Sequence, residues 1–305
     1  MMSAVVELNQ VCQHYGKFQV LHDISWNLQP GEIMGLFGHN GAGKTTTIRL
    51  ILGLIRHSSG ELKVLGGQAH DAKVRQQIGF LPENIMFYPQ LTGLETLQHF
   101  ARLKGAPAGQ VEQLLDQVGL TAASGQRVKA YSKGMRQRLG LAQALLGDPK
   151  LLIMDEPTVG LDPIATQSLY RLMEKLRNEG TSIIICSHVL PGVESYIDKA
   201  VVMARGHLEI VGNLYELREH AGLPVYIRVR GLNGRELAHP AIESRSLLHD
   251  GWEELAVRPD ARLDIVGQLL QQQPLDLEVR PPSLEDLYCY YTEKAGAVGV
   301  AGVQQ

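Results

Sequence analysis

The chain has 305 residues, 44% apolar and 20% charged, with a formal net charge of −3; this supports one large core plus a small second domain and excludes wholesale disorder. Residues 222–305 carry twelve acids against eight bases while residues 1–221 stay near neutral, so neither part offers the cationic surface that neutralises a nucleic-acid backbone. Cys12, Cys186 and Cys289 are far apart with no CxxC pair, which argues against a disulfide framework or a zinc site and suits a reducing compartment.

The start, MMSAVVELNQ, lacks a cationic segment followed by an apolar run, and no window reaches eighteen apolar residues without a charge. The expectation is a cytoplasmic protein whose membrane role, if any, comes through a partner. The first β-rich runs are VVELNQVCQHY, ISWNLQ and GEIMGLFG, separated by turns such as Pro30-Gly31; they predict strands of a small antiparallel or mixed element. GEIMGLFG leads directly into HNGAGKTTTIRLILGLI, a glycine-rich turn followed by a helical pattern. Leu94, Leu97, Phe100 and Leu103, then Val111, Leu114, Leu115 and Val118, recur at helical spacing.

LLIMDEP and TSIIICSH are short apolar runs with polar ends, and DPIATQSLYRLMEKLRNEG lies between them with a helical pattern. Strand, helix, strand in that order predicts a right-handed crossover and a parallel sheet with its site at the strand ends. VVMARGHLEIVG predicts a hairpin around Arg205-Gly206. Beyond residue 221, PVYIRVRG and LDLEVRPPS predict strands and ARLDIVGQLLQQQ a helix. These make a small α+β domain over 222–294, followed by a Gly/Ala-rich, frayed tail at 295–305.

Gly38-His39-Asn40-Gly41-Ala42-Gly43-Lys44-Thr45 matches G-x-x-x-x-G-K-[ST], with Thr46 next in line. The glycines let backbone N–H groups turn toward a β-phosphate, where Lys44 would neutralise β/γ oxygens and the Thr45 hydroxyl can ligate Mg²⁺. A tight strand-to-helix turn is the bland alternative, and a strand before with a helix after favours the nucleotide. LLIMDE supplies the expected carboxylates at another strand end: Asp155 to hold Mg²⁺ and Glu156 to orient or deprotonate water. His188 closes the next run, where an imidazole can sense the γ-phosphate or be merely structural. Tyr15 can stack on adenine or pack as a half-buried strand residue.

The stretch KAYSKGMRQRLGLAQALL places Ser132 and Gly134 just ahead of a helix expected near Met135. A hydroxyl, free backbone N–H groups and a positive helix end make a second anion-binding terminus, or a simple N-cap. That loop is followed by Arg136-Gln137-Arg138, an apolar helix, Asp148-Pro149, LLIMDEPT and Gly160-Leu161-Asp162. In this order and spacing, residues 1–221 resemble the ATP-binding cassette (ABC) ATPase family.

The resemblance implies an α/β P-loop NTPase cassette with a RecA-like parallel core, an N-terminal antiparallel β element and a helical subdomain at about 84–148. It implies ATP with Mg²⁺, and two copies docked head to tail, so that Ser132 and Gly134 contact the nucleotide held by the partner's Lys44. Asp162 would cross the same seam. The signature reads Tyr131-Ser132-Lys133-Gly134-Met135 where the family commonly has Leu-Ser-Gly-Gly-Gln, and Glu83 in IGFLPEN stands where the family commonly has Gln. Glu83 retains the chemistry of a Mg²⁺ ligand, and residues 83–104 would meet a transmembrane permease.

PSLEDL at 282–287 resembles the close of an accessory domain in ATPases paired with type-2 ABC export permeases. A narrower resemblance is to the ATPase of the nitrous oxide reductase maturation transporter, which serves copper-site assembly. The expected place is the cytoplasmic face of the inner membrane, peripheral through the permease. Drug, polysaccharide or sodium export, a soluble ABC ATPase acting on ribosomes or DNA, and a small-molecule P-loop kinase are the alternatives. The kinase leaves 131–135 and Glu156 without a shared purpose.

Overall fold

The protein is represented by a computed structural model that describes residues 3–107, 109–187, 192–232 and 237–296. Backbone contacts divide it into two units, Met1–Val211 and Gly212–Gln305.

In the first unit, β1 (Val6–Tyr15) and β2 (Phe18–Leu28) form an antiparallel hairpin. Then come β3 (Ile33–Phe37), α1 (Lys44–Ile51), β4 (Ser59–Val64), the single turn α2 (Ala72–Arg75) and β5 (Ile78–Leu81). Three helices follow: α3 (Gly93–Lys104), α4 (Gln110–Gln117) and α5 (Lys133–Leu145). β6 (Leu151–Asp155), α6 (Pro163–Asn178), β7 (Ser182–Ser187), β8 (Lys199–Ala204) and β9 (His207–Gly212) complete the unit.

Two sheets result. A three-stranded antiparallel sheet has the order β2-β1-β4, and a six-stranded sheet has the order β5-β6-β7-β3-β8-β9. From β5 to β8 the pairs are parallel. Strands covered on both faces must be apolar throughout rather than alternating. That is why IMGLF and SIIICS are buried at every position, and why their sequences read as continuous apolar runs.

The α1 helix lies in the core shared by the two sheets. Ile48, Leu50 and Ile51 are packed with Leu21, Trp26 and Leu28 of the antiparallel hairpin and with Leu36 and Ile184 of the parallel sheet. Each such side chain contributes roughly 2 kcal/mol by leaving water, so the segment after the glycine-rich turn is held rigidly from both sides. α3 has reciprocal capping by Thr92 and Glu95 at its start and Gly105 at its end. The ABC-cassette arrangement of antiparallel β element, parallel core and helices at 93–145 is therefore present.

The second unit starts with α7 (Leu214–Ala221), then β10 (Val225–Arg230), β11 (Ile242–Leu247), β12 (Trp252–Val257), α8 (Arg262–Gln271), β13 (Asp276–Arg280) and α9 (Leu284–Lys294). Its antiparallel sheet has the order β11-β12-β10-β13, and Ile265 and Leu269 of α8 pack with Ile227, Val229, Leu255 and Val257 beneath it.

Three differences from the sequence reading have physical causes. GEIMGLFG, read with the first two runs as part of a small antiparallel or mixed element, is β3 of the parallel sheet, as a run buried at every position requires. The α7 helix, counted with 1–221, belongs with the second unit. The Tyr291 hydroxyl donates to Leu217 O at 3.0 Å and Arg218 Nε donates to Pro282 O at 2.8 Å, which ties α7 to α9. Strands β11 and β12 were not predicted, because IESRSL is largely exposed and does not alternate. The expected fraying at 295–305 falls almost wholly outside the described residues.

Candidate functional site

The strand β3 delivers the chain into the 38–45 turn. A Cβ on Gly38 would stand 2.6 Å from Met203 O and 2.7 Å from Ala42 Cβ, so only glycine fits. Gly43 has φ +107, and a Cβ there would meet Leu21 Cδ2 at 2.6 Å. Gly43 is also the N-cap of α1; it makes no side-chain cap bond, and no acid occupies the first turn. The leading N–H groups of α1 thus keep their positive end uncompensated, the arrangement that binds an anion.

Lys44 is buried, and its Nζ donates to Gly38 O at 2.5 Å and His39 O at 3.3 Å. His39 Nδ1 lies 2.7 Å from Asn40 O, while its buried Nε2 has no hydrogen-bond partner among the described residues. A cavity of about 470 Å³ collects His39, Asn40, Gly41 and Gly43 with Lys44, Thr45 and Thr46. Gly38 and Ala42 shape the loop from beneath, both buried.

Four more residues line that cavity which sequence reasoning did not select: Phe18, Gln19, Val20 and Arg205. Phe18 is 71% exposed despite its size. Tyr15 is its cross-strand partner in the β1–β2 hairpin but does not line the cavity. The aromatic side chain lining this cavity is thus Phe18, with Tyr15 beside it on the neighbouring strand. An exposed Phe beside a hairpin turn leaves no local trace distinguishing it from Tyr15.

Asp155 ends β6 opposite Cys186 of β7. Burial pushes its carboxyl up to about 6, reinforced by the charges of Glu156 and Glu83 and opposed by Lys44. These four groups, drawn from separate parts of the sequence, are therefore within electrostatic reach of one another. Glu156 is 7% exposed and has φ +50, a conformation that costs a non-glycine residue about 1 kcal/mol or more. Its N–H donates to Cys186 O at 2.8 Å, and Ser187 Oγ donates to its Oε2 at 3.4 Å. Glu83 is exposed on the loop after β5. His188 lies outside the described residues.

Ser132, Gly134 and Asp162 gather elsewhere. α5 begins at Lys133, two residues before the expected start, because Ser132 is its N-cap and accepts from Met135 N at 3.1 Å. Asp162 caps α6, accepting from Ala165 N at 2.8 Å, with Pro163 at the first turn. All three residues line a separate cavity of about 840 Å³, together with Lys133, Gly160 and Leu161. No lining residue is common to this cavity and the phosphate pocket.

The residues present suit a magnesium nucleotide. The phosphate pocket offers an uncapped helix start, Lys44, Arg205 and the unpartnered His39 nitrogen, and Asp155 and Glu156 supply two carboxylates at the end of β6. Among the described residues, no three His, Cys, Asp or Glu side chains are grouped to hold a metal by themselves. A hard cation here would need phosphate oxygens to complete its shell, as Mg²⁺ does in nucleotide sites.

Residues 21–159 match the family described as ABC transporter. An uncharacterized ABC transporter ATP-binding protein of Bacillus subtilis, YdbJ, is 41% identical over 68% of this chain and 69% of its own. The linearmycin resistance ATP-binding protein LnrL of the same organism is 33% identical over 94% of this chain and 98% of its own. A solved structure described as the ATP-binding subunit of an ABC transporter superposes with a TM-score of 0.67 at 32% identity, covering 72% of this chain and 93% of that one.

Proposed function

This chain belongs to the ABC transporter ATP-binding family, and on that premise we propose that two copies of it hydrolyse ATP between them and drive a separate membrane permease. The observation that carries the reading is the electrostatic proximity of Lys44, at the start of α1, to Asp155 and Glu156, at the end of β6. A phosphate cradle alone binds; a cradle with a strained, buried carboxylate beside it has the parts for hydrolysis.

The division of labour follows from the residues. The first-turn N–H groups of α1 and the Lys44 ammonium hold the phosphates, with Lys44 exchanging its two loop carbonyls for phosphate oxygens. Thr45, Asp155 and Glu83 are the residues that would hold Mg²⁺, whose chemistry is to neutralise charge on the phosphoryl group. Glu156 accepts the proton of the attacking water as the bond to the leaving ADP breaks. Phe18 offers the adenine a stacking face.

The loop of Ser132 and Gly134 lies around a different cavity from the phosphate pocket of the same chain. That separation supports head-to-tail pairing, in which each copy completes the other's site with Ser132, Gly134 and Asp162. Substituting Glu156→Gln tests the whole scheme. The variant should bind Mg-ATP, lose nearly all hydrolysis and accumulate as a dimer in light scattering. Full turnover would remove Glu156 from the mechanism, and a monomer at saturating ATP would remove the shared site.

Residues 83–104 contribute to an apolar groove of about 550 Å³ with Phe80, Ile85, Met86, Phe100 and Leu103 on its walls and Lys104 as its cation. Lys104 Nζ donates to Ile78 O at 2.7 Å, and burial lowers its pKa. The occupant that fits is a short permease helix with an apolar face and a carboxylate toward Lys104. Among the described residues no helix is long and apolar enough to cross a membrane, so attachment at the cytoplasmic face falls to that partner.

For the cargo, the narrower resemblance to nitrous oxide reductase maturation finds no support in the relatives described above. The relative matching along nearly its whole length is named for linearmycin resistance. That favours antibiotic export over copper-site assembly. Loss of the gene with unchanged antibiotic tolerance would reject it.

A further inference from the structure

We propose that Arg205 is a phosphate-binding residue of the nucleotide pocket, a second cation that grips the polyphosphate from the β8–β9 turn. This rests on reading the 38–46 pocket as a nucleotide site and adds a contact from outside the motif. The family match ends at residue 159, and Arg205 lies well beyond it.

The turn carrying Arg205 is fixed in place rather than loosely hanging over the pocket. Arg205 and Gly206 have φ +50 and +80, the paired left-handed values of a two-residue hairpin turn. Gly206 N donates to Ala42 O at 3.0 Å, and His22 N donates to Gly206 O at 2.9 Å. The first bond joins the turn to the phosphate loop itself, and the second joins it to β2, which carries Phe18. Arg205 thus lines the pocket from a backbone locked to two of its other walls.

Charge completes the case. The described residues lining the pocket include two formal cations, Lys44 and Arg205, and no Asp or Glu. Lys44 is buried at the base, with its ammonium against Gly38 O and His39 O. Arg205 is exposed where it lines the pocket, on the side from which a polyanion enters. A guanidinium offers paired N–H donors that match phosphate oxygens in geometry as well as charge. The strained φ of Arg205 adds weight, because Asn or Gly would occupy that turn position at lower conformational cost.

Calorimetric titration with ATP and with inorganic tripolyphosphate tests the assignment on the full chain, comparing wild type with Arg205→Ala, Arg205→Gly and Arg205→Lys. Glycine suits the positive φ, so a folding defect in the alanine variant is separated from a lost contact. Both neutral variants should bind ATP and tripolyphosphate about tenfold more weakly, with lysine recovering part of the loss. The salt dependence of ATP affinity should also flatten in the neutral variants. Unchanged ATP affinity, or weaker ATP binding with an unchanged salt slope and unchanged tripolyphosphate affinity, would overturn it; the latter would assign Arg205 to the base. A wild-type chain that binds neither probe would instead reject the nucleotide reading beneath it.

Discussion

The side chain of Lys133 lies across Gly160, with its Cδ and Cε 2.6 Å and its Nζ 2.9 Å from the point where a Cβ on that glycine would stand. With the bond from Gln137 Nε2 to Pro157 O at 3.1 Å, this couples the start of α5 to the loop that ends in Asp162. Gly160 also has φ +84. Gly160→Ala should therefore push Lys133 aside and strain the loop, lowering hydrolysis on the order of tenfold or more. The phosphate pocket does not include Gly160, so ATP affinity should stay within about twofold of wild type. Steady-state kcat beside equilibrium ATP binding separates the two effects.

Stability should depend on pH through Asp155. Its carboxyl is raised from 3.8 to about 6, so the folded chain holds that proton more tightly than the unfolded chain. Stability from this group is greatest below 3.8 and declines as pH rises through about 6. Asp155→Asn removes the buried charge. In the absence of nucleotide it should melt at a higher temperature than wild type near pH 7.5, and the gap should close as the pH is lowered toward 4.5. Magnesium with ATP should stabilise wild type more than the variant. Melting curves that run parallel at every pH would show that Asp155 does not titrate in this way.

Sharing of sites predicts complementation. Lys44→Ala and Ser132→Arg homodimers should each be inactive, whereas an equal mixture forms heterodimers with one intact composite site. If sites act independently, activity should return to about a quarter of wild type. Arginine also removes the α5 cap, at a cost of about 1 kcal/mol, so a melting curve of that variant belongs beside the assay. An inactive mixture containing verified heterodimers would contradict the exchange.

The groove can be tested without disturbing the fold, since Met86 is 92% and Leu103 72% exposed. Met86→Asp with Leu103→Asp should leave basal ATP hydrolysis of the purified subunit within about twofold, because exposed substitutions cost little stability. Binding to the permease, measured by co-purification, should be lost. Retained binding would move the docking site elsewhere.

The phosphate loop, the paired carboxylates and the parallel core were legible because each is written locally. The Gly38 and Gly43 positions admit no side chain, and continuous apolar runs such as SIIICS have only one use in a sheet covered on both faces. Residues whose roles arise from convergence left no such mark. Phe18 and Arg205 enter the pocket because two hairpins, 187 positions apart in sequence, fold onto one loop. The second unit was half-read because IESRSL is largely exposed and WEELAV does not alternate, its last three residues being buried in a row. The N-cap offered for Ser132 is present on α5, whereas the cap that Asp162 makes on α6 appears only once that helix is placed.

Because β3 is flanked by β7 and β8, and Met203 O closes on Gly38 from behind, the nucleotide cradle cannot be assembled from the N-terminal half alone. A ribosome must release the chain past Gly206 before the loop it made far earlier acquires its final shape. Nascent chains truncated before β8 should be blind to ATP, because β3 then lacks one of its two neighbours and Gly38 the carbonyl behind it.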